Sequence, residues 1–161
     1  LAALLINQRR VILSKRSVQT KSLGKKIGRY LEKGDVVGLV GELGTGKTVL
    51  AQGIAAGLGV GIKDYVRSPS FILLNIYQGR LPFYHFDLYR LNSLRDLEEI
   101  DYQQHLYGDG VSVIEWAEKI KGALPAEYLR IELSHHSRQT RIIRLIPKGK
   151  HYRKLINRLK F

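Results

Sequence analysis

Eight consecutive residues, Gly41-Glu42-Leu43-Gly44-Thr45-Gly46-Lys47-Thr48, satisfy the spacing G-x-x-x-x-G-K-[ST] in full. Glycines in such a turn let successive backbone N–H groups face inward and approach an anion with no Cβ in the way. A helix that begins where the turn ends adds the positive end of its dipole. The chemistry on offer is the holding of a nucleoside triphosphate. Glu42, Leu43, Gly44, Thr45 and Gly46 would surround the phosphates, and Val49 would complete the first helical turn. Lys47 would reach the β- and γ-phosphates and the Thr48 hydroxyl would ligate Mg²⁺. The plainer alternative is a tight strand-to-helix turn with an incidental lysine. An apolar strand before the turn and a helix after it favour the phosphate cradle.

Such a site needs a further carboxylate to hold Mg²⁺ or to orient water, commonly at the end of an apolar strand. Asp87 closes "FYHFD" and Glu115 closes "VSVIE". In a parallel sheet, both strand ends can lie beside the phosphate loop. Asp87 could equally be a turn or cap residue, and Glu115 a partner for a surface lysine. Ser68-Pro69-Ser70 puts two hydroxyls on a rigid turn, suited to sensing a γ-phosphate, although an ordinary Ser-Pro turn is the simpler reading. The histidines have no zinc spacing: His85 and His105 stand alone, and His135-His136 is a polar pair. Trp116 reads as core.

These residues must be positioned by the elements around them. "RRVILS" predicts a short strand, and Val18, Leu23, Ile27 and Leu31 recur at helical spacing up to a stop at Gly34. "DVVGLVG" is a strand of the kind buried on both faces. "KTVLAQGIAAGLG" is a helix weakened by Gly53 and ended near Gly57 and Gly59. Two strands joined by a turn at Gln78-Gly79-Arg80 follow, with Phe83 and His85 on one face and Tyr84 and Phe86 on the other. "LRDLEEIDYQQHL" predicts one polar helix with Leu94, Leu97, Ile100 and Leu106 inward. "VSVIE" is a buried strand, and "EYLRIEL" with "TRIIRLIP" predicts a terminal hairpin of exposed-edge strands. "KGKHYRKLINRLKF" closes the chain as a basic tail or short helix. The expected fold is one α/β domain over residues 1–161: a P-loop NTPase-like mixed sheet with flanking helices and antiparallel C-terminal strands. Its motif-bearing core spans about 14–147, with a basic tail at 148–161.

The 161 residues suit one domain, and no stretch nears the roughly 20 apolar residues of a membrane span. A cytoplasmic, non-membrane protein is expected. Cysteine is absent, which excludes disulfides and a thiol nucleophile. The net charge of +13 is uneven. Residues 1–31 hold eight Lys/Arg and residues 133–161 hold nine, with no acid in either; residues 32–132 carry ten bases against fourteen acids. Basic ends around a mildly acidic middle suggest an anionic partner such as RNA, or a solvated basic surface.

Together, "GELGTGKT", "SPSF", "YHFDLYR" and "IEW", in this order, resemble the TsaE family (also called YjeE) over about residues 14–147. The resemblance implies a small P-loop ATPase, using ATP/ADP and Mg²⁺, that acts with TsaB and TsaD in making threonylcarbamoyladenosine on tRNA beside the anticodon. TsaC supplies the activated group. By motif position it implies Asp87 as an Mg²⁺-associated aspartate and Glu115 as the carboxylate near the γ-phosphate. Ser68 and Ser70 fall in a switch-like loop, and Thr20 near the base and sugar. The chain departs from the pattern in four places. Ser70 stands where threonine is usual, Lys15-Arg16-Ser17 replaces acidic residues, Glu99-Ile100-Asp101 lacks a common glycine, and the basic tail after Pro147 is longer than the motif region demands. Two other readings remain open: a small-molecule kinase with Arg90 and Arg95 at an acceptor, and a basic RNA-binding module with nucleotide as a switch. An activating arginine would come from Arg67, Arg90 or a partner.

Overall fold

The computed structural model describes residues 9–61, 66, 73–93 and 95–160, with the backbone alone for 3–6. The predicted Ser68-Pro69-Ser70 turn, Arg67 and Leu94 lie outside the described residues.

The element order is β1 (Ala3–Ile6), β2 (Arg9–Ser14), α1 (Ser17–Tyr30), β3 (Val36–Val40), α2 (Lys47–Gly57), β4 (Leu74–Gln78) and β5 (Pro82–Asp87). Then come α3 (Arg95–Glu98), α4 (Tyr102–Leu106), β6 (Val111–Glu115), a 3-10 turn (Ala117–Ile120), β7 (Tyr128–His135), β8 (Arg141–Lys148) and α5 (Lys150–Arg158). All the strands join one sheet in the order β1-β2-β8-β7-β3-β6-β5-β4. Around β3 the pairing is parallel, to β6 on one side and β7 on the other, and β6 pairs parallel with β5. Beyond these strands all pairs are antiparallel. The mixed sheet expected from the sequence is thus present, with the glycine turn leaving an inner strand.

An inner parallel strand is covered on both faces, which is why "VVGLV" carries no outward polar residue. Val36, Val37 and Leu39 are buried. Helices α1 and α2 pack unusually close. A Cβ placed on Gly24 would lie 2.4 Å from the Leu50 carbonyl oxygen, and one on Gly53 would lie 2.2 Å from that of Lys21. Gly53, which weakens α2 as an isolated helix, is therefore the residue that lets its backbone touch α1. Leu23 and Ile27 of α1 and Leu50 and Ile54 of α2 are fully buried around this contact. The guanidinium of Arg80, in the β4–β5 turn, donates to the carbonyls of Gly28 and Leu31 and so satisfies the end of α1.

Two local expectations change, and one open alternative is decided. The single polar helix over "LRDLEEIDYQQHL" is two short helices, α3 and α4, broken at Asp101, which has φ 47°. That left-handed conformation suits glycine, and an aspartate tolerates it better than most residues. Strands β7 and β8 are not exposed edges, because β1 and β2 fold back outside β8. Ile131, Leu133, Ile143 and Leu145 are accordingly buried. Of the two readings open for the basic C-terminal segment, tail or short helix, the helix is present, and it is docked. Tyr152, Leu155, Ile156 and Leu159 are buried, and the Tyr152 hydroxyl accepts a hydrogen bond from the Val36 amide at 2.9 Å. The last helix is thereby tied to the first residue of the P-loop strand.

Candidate nucleotide site

The turn between β3 and α2 takes the shape its glycines permit. Gly46, preceding the helix, has φ 99°, which a side chain would strain. At Gly41 the space is already taken: a Cβ there would meet the Leu133 carbonyl oxygen at 2.3 Å. Thr45 is buried and its hydroxyl closes the loop by donating to the Glu42 carbonyl at 2.8 Å. Leu43, in contrast, is 70% exposed at the tip.

Lys47 is 4% exposed, and its Nζ donates to the Gly41 and Glu42 carbonyls at 2.6 and 2.8 Å. The same ammonium sits 3.8 Å from the centre of the Trp116 ring. Burial pushes the Lys47 pKa below its ordinary value, opposed by the negative charges of Glu115, Glu118 and Asp87. A cation already stripped of water loses less hydration on meeting an anion. Trp116, read from the sequence as core, is half-buried with φ 61°, packed against the core on one side and bordering the site on the other. The left-handed turn after Glu115 accompanies its ring over Lys47, with Tyr89 packed at 5.1 Å on the other contact.

Parallel register brings the two candidate carboxylates together. Asp87 of β5 and Glu115 of β6 are register partners, and Glu115 is in turn the partner of Leu39 of β3. Neighbouring strands are about 4.8 Å apart, so both acids stand at the strand ends beside the loop. Thr48, in the first turn of α2, donates from Oγ1 to Glu115 Oε2 at 2.9 Å. Glu115 is 2% exposed and Asp87 9%. Asp87 Oδ1 also accepts the Tyr89 amide at 3.0 Å, so the turn role open to it in the sequence is present alongside its place at the site. Among the described residues Glu115 makes no surface lysine pair; its second oxygen is held by His85 Nε2 at 2.9 Å. The sequence reading left His85 standing alone. Its signal was the alternation of "FYHFD", which puts His85 and Asp87 on one face of β5.

Thr48, Asp87 and Glu115 suit Mg²⁺. Among the described residues no group of three or more His, Cys, Asp or Glu could enclose a metal. Mg²⁺ does not require such a cage, since it takes one or two carboxylates plus phosphate oxygens and waters.

Two cavities meet over the glycine turn and share Gly44, Gly46 and Val49. One, of about 750 Å³, is bordered by Lys47, Thr48, Asp87, Glu115, Trp116 and Arg90. The other, of about 450 Å³, lies under Arg16, Ser17, Thr20 and Arg141. Thr20 is buried, and its hydroxyl shares a 2.8 Å hydrogen bond with Ser14. Arg141 Nη2 donates to the Gly44 carbonyl at 3.3 Å; the sequence marked Arg16 only within the basic Lys15-Arg16-Ser17 stretch and gave no sign of Arg141. Ser68 and Ser70 lie outside the described residues.

The profile described as "Threonylcarbamoyl adenosine biosynthesis protein TsaE" matches residues 14–143. The chain belongs to the TsaE family. It is 46% identical to the TsaE of Treponema pallidum over 121 residues, covering 75% of this chain and 88% of that protein. With the Bacillus subtilis TsaE it shares 36% identity over 142 residues, covering 88% and 87%. Among solved structures, Bacillus subtilis YdiB superposes with a TM-score of 0.76 at 28% identity, covering 98% of this chain and 95% of that one. The matched span of the TsaE profile contains the glycine turn, both carboxylates and all four strands around them. No helix among the described residues is long and apolar enough to cross a membrane.

Proposed function

We propose that this TsaE-family chain is a Mg²⁺-dependent ATPase that serves threonylcarbamoyladenosine formation on tRNA together with a TsaB–TsaD complex. The observation that carries the reading is the Asp87–Glu115 register pair, set against the Thr48 hydroxyl at the foot of the glycine turn. The phosphates of ATP would take the inward amides of residues 42–49 and the Lys47 ammonium now bonded to backbone carbonyls. Base and sugar would lie toward Thr20 in the smaller cavity, and the γ-phosphate toward Asp87 and Glu115 in the larger one. Thr48 and Asp87 would hold Mg²⁺, which supplies charge neutralisation at the phosphates. Glu115, with Thr48 Oγ1 drawn away, would have an oxygen to orient water. Ser68 and Ser70 keep their proposed place in a switch-like loop.

Arg90 borders the larger cavity. A further cation from TsaB–TsaD would complete the transition-state charge, so that hydrolysis is slow in the isolated chain and faster in the complex. tRNA is met through those partners or through the basic ends. Helices α1 and α5 each carry four Lys/Arg and no acid, and Lys26 Nζ of α1 donates to the carbonyl of Lys160, just past the end of α5. Contact of that face with phosphates predicts tRNA affinity that falls steeply with salt.

The test is reconstitution: tRNA, threonine, bicarbonate, ATP, TsaB, TsaC and TsaD, with and without this chain, read by nucleoside analysis of the digested tRNA. Modified adenosine that accumulates with the chain and fails with Lys47→Ala supports the reading. Equal modification in its absence refutes it.

A further inference from the structure

His85 is fully buried, and its only hydrogen bond among the described residues runs from Nε2 to Glu115 Oε1. An ionised carboxylate can only accept, so the ring nitrogen is the donor. Nδ1 has no partner among the described residues. The ring therefore carries a proton on Nε2, donated to Glu115.

Glu115 thus has one donor on each oxygen, Thr48 on Oε2 and His85 on Oε1. The two donors differ in what else they can do. Thr48 is half-buried at the cavity on the first turn of α2, where its hydroxyl can be drawn toward a ligand. His85 is locked inside β5, its ring stacked 5.8 Å from that of the fully buried Phe83. We propose that His85 is a positioning residue for hydrolysis: it pins Oε1 so that Glu115 keeps its aim when Thr48 releases Oε2. This rests on the ATPase reading above. It also explains why a polar ring occupies an otherwise apolar stretch of the inner sheet.

The test compares the parent, His85→Gln, His85→Asn and His85→Phe, each alone, and His85→Phe combined with Glu115→Ala. Steady-state Mg-ATP turnover is measured for the chain with its TsaB–TsaD partners, and ¹⁵N side-chain NMR is recorded on the free parent. A glutamine amide nitrogen reaches the place of Nε2, whereas that of asparagine falls short of it. His85→Phe and His85→Asn are expected to lower kcat by about 10²-fold with KM for ATP little changed, the scale of a misplaced reacting group. His85→Gln recovers most of that loss. The double variant is no slower than Glu115→Ala, because His85 acts through Glu115. NMR places the proton on Nε2. Parental kcat in both His85→Phe and His85→Asn overturns the inference, as does a double variant slower than Glu115→Ala. A ring with no proton on Nε2 in the free protein overturns it whatever the turnover. A parent without turnover refutes the ATPase reading itself, and this inference with it.

Discussion

Replacing Gly28 by alanine tests whether backbone contact between α1 and α2 sets the position of the P-loop helix. The new Cβ would stand 2.2 Å from the Ile54 carbonyl oxygen and 3.0 Å from the Gly57 Cα. An ordinary contact begins near 3.4 Å, so the helices must separate by about 1 Å at this point. A gap of that size forfeits roughly a quarter to a half of each dispersion contact across it. Leu23, Ile27, Leu50 and Ile54, all fully buried around the contact, would feel it. Overpacking costs about 1–3 kcal/mol, and a clash this deep against backbone belongs at or beyond the upper end. Alanine returns up to about 1 kcal/mol through its better helix propensity. The net loss is about 2 kcal/mol, which for a chain of this size lowers Tm by about 4–8 °C. The assay is thermal unfolding followed by circular dichroism at matched concentration. A Tm equal to or above that of the parent refutes the close-packing argument, since propensity alone would then decide the outcome.

Three further outcomes follow from particular contacts. Trp116, the one tryptophan of the chain, has the Lys47 ammonium 3.8 Å from its ring centre. Titration with Mg-ATP should change its emission saturably as Lys47 leaves the ring, and a flat titration at concentrations that bind nucleotide contradicts that exchange. Burial, above all, raises the Asp35 pKa over its usual 3.8, against the lowering effects of the Glu32 amide, His151 and Tyr152. Its folded form therefore binds a proton more tightly than its unfolded form. The contribution to stability falls as pH rises from 3.8 through the raised pKa and is flat above it. Asp35→Asn should flatten this part of the Tm–pH profile, and an unaltered slope counts against the assignment. Leu155→Ala in α5 should cost about 2–5 kcal/mol, because the side chain is 3% exposed in the core. A loss near zero by denaturant unfolding would mean that the basic C-terminal segment is not docked.

The glycine turn was legible because its chemistry is local: eight residues in order carry the whole phosphate cradle, and the flanking periodicities suffice to place a strand and a helix. The pairing of Asp87 with Glu115 was only half legible. Each could be seen to end a strand, but their neighbouring registers in a parallel sheet depend on crossovers that no short window encodes. His85 was missed for the same reason, since its partner lies thirty residues away. Gly53 misled because propensity counts the helix alone, while its use is the approach of α1. At Asp101 an apolar period continued through a residue whose left-handed backbone ends the helix. The C-terminal hairpin was placed at an edge because the first strands of the chain, which cover it, carry no sequence sign of their partner.

The most direct test of the account is phosphate release from Mg-ATP by the purified chain, alone and with TsaB–TsaD, beside Glu115→Ala and Lys47→Ala. Turnover is expected to be slow alone, faster with the partners, absent with Lys47→Ala and reduced to a small residual rate with Glu115→Ala. Partners without effect, together with a Glu115→Ala variant as active as the parent, would contradict the account and leave the glycine turn as a nucleotide-holding loop on a basic binding module.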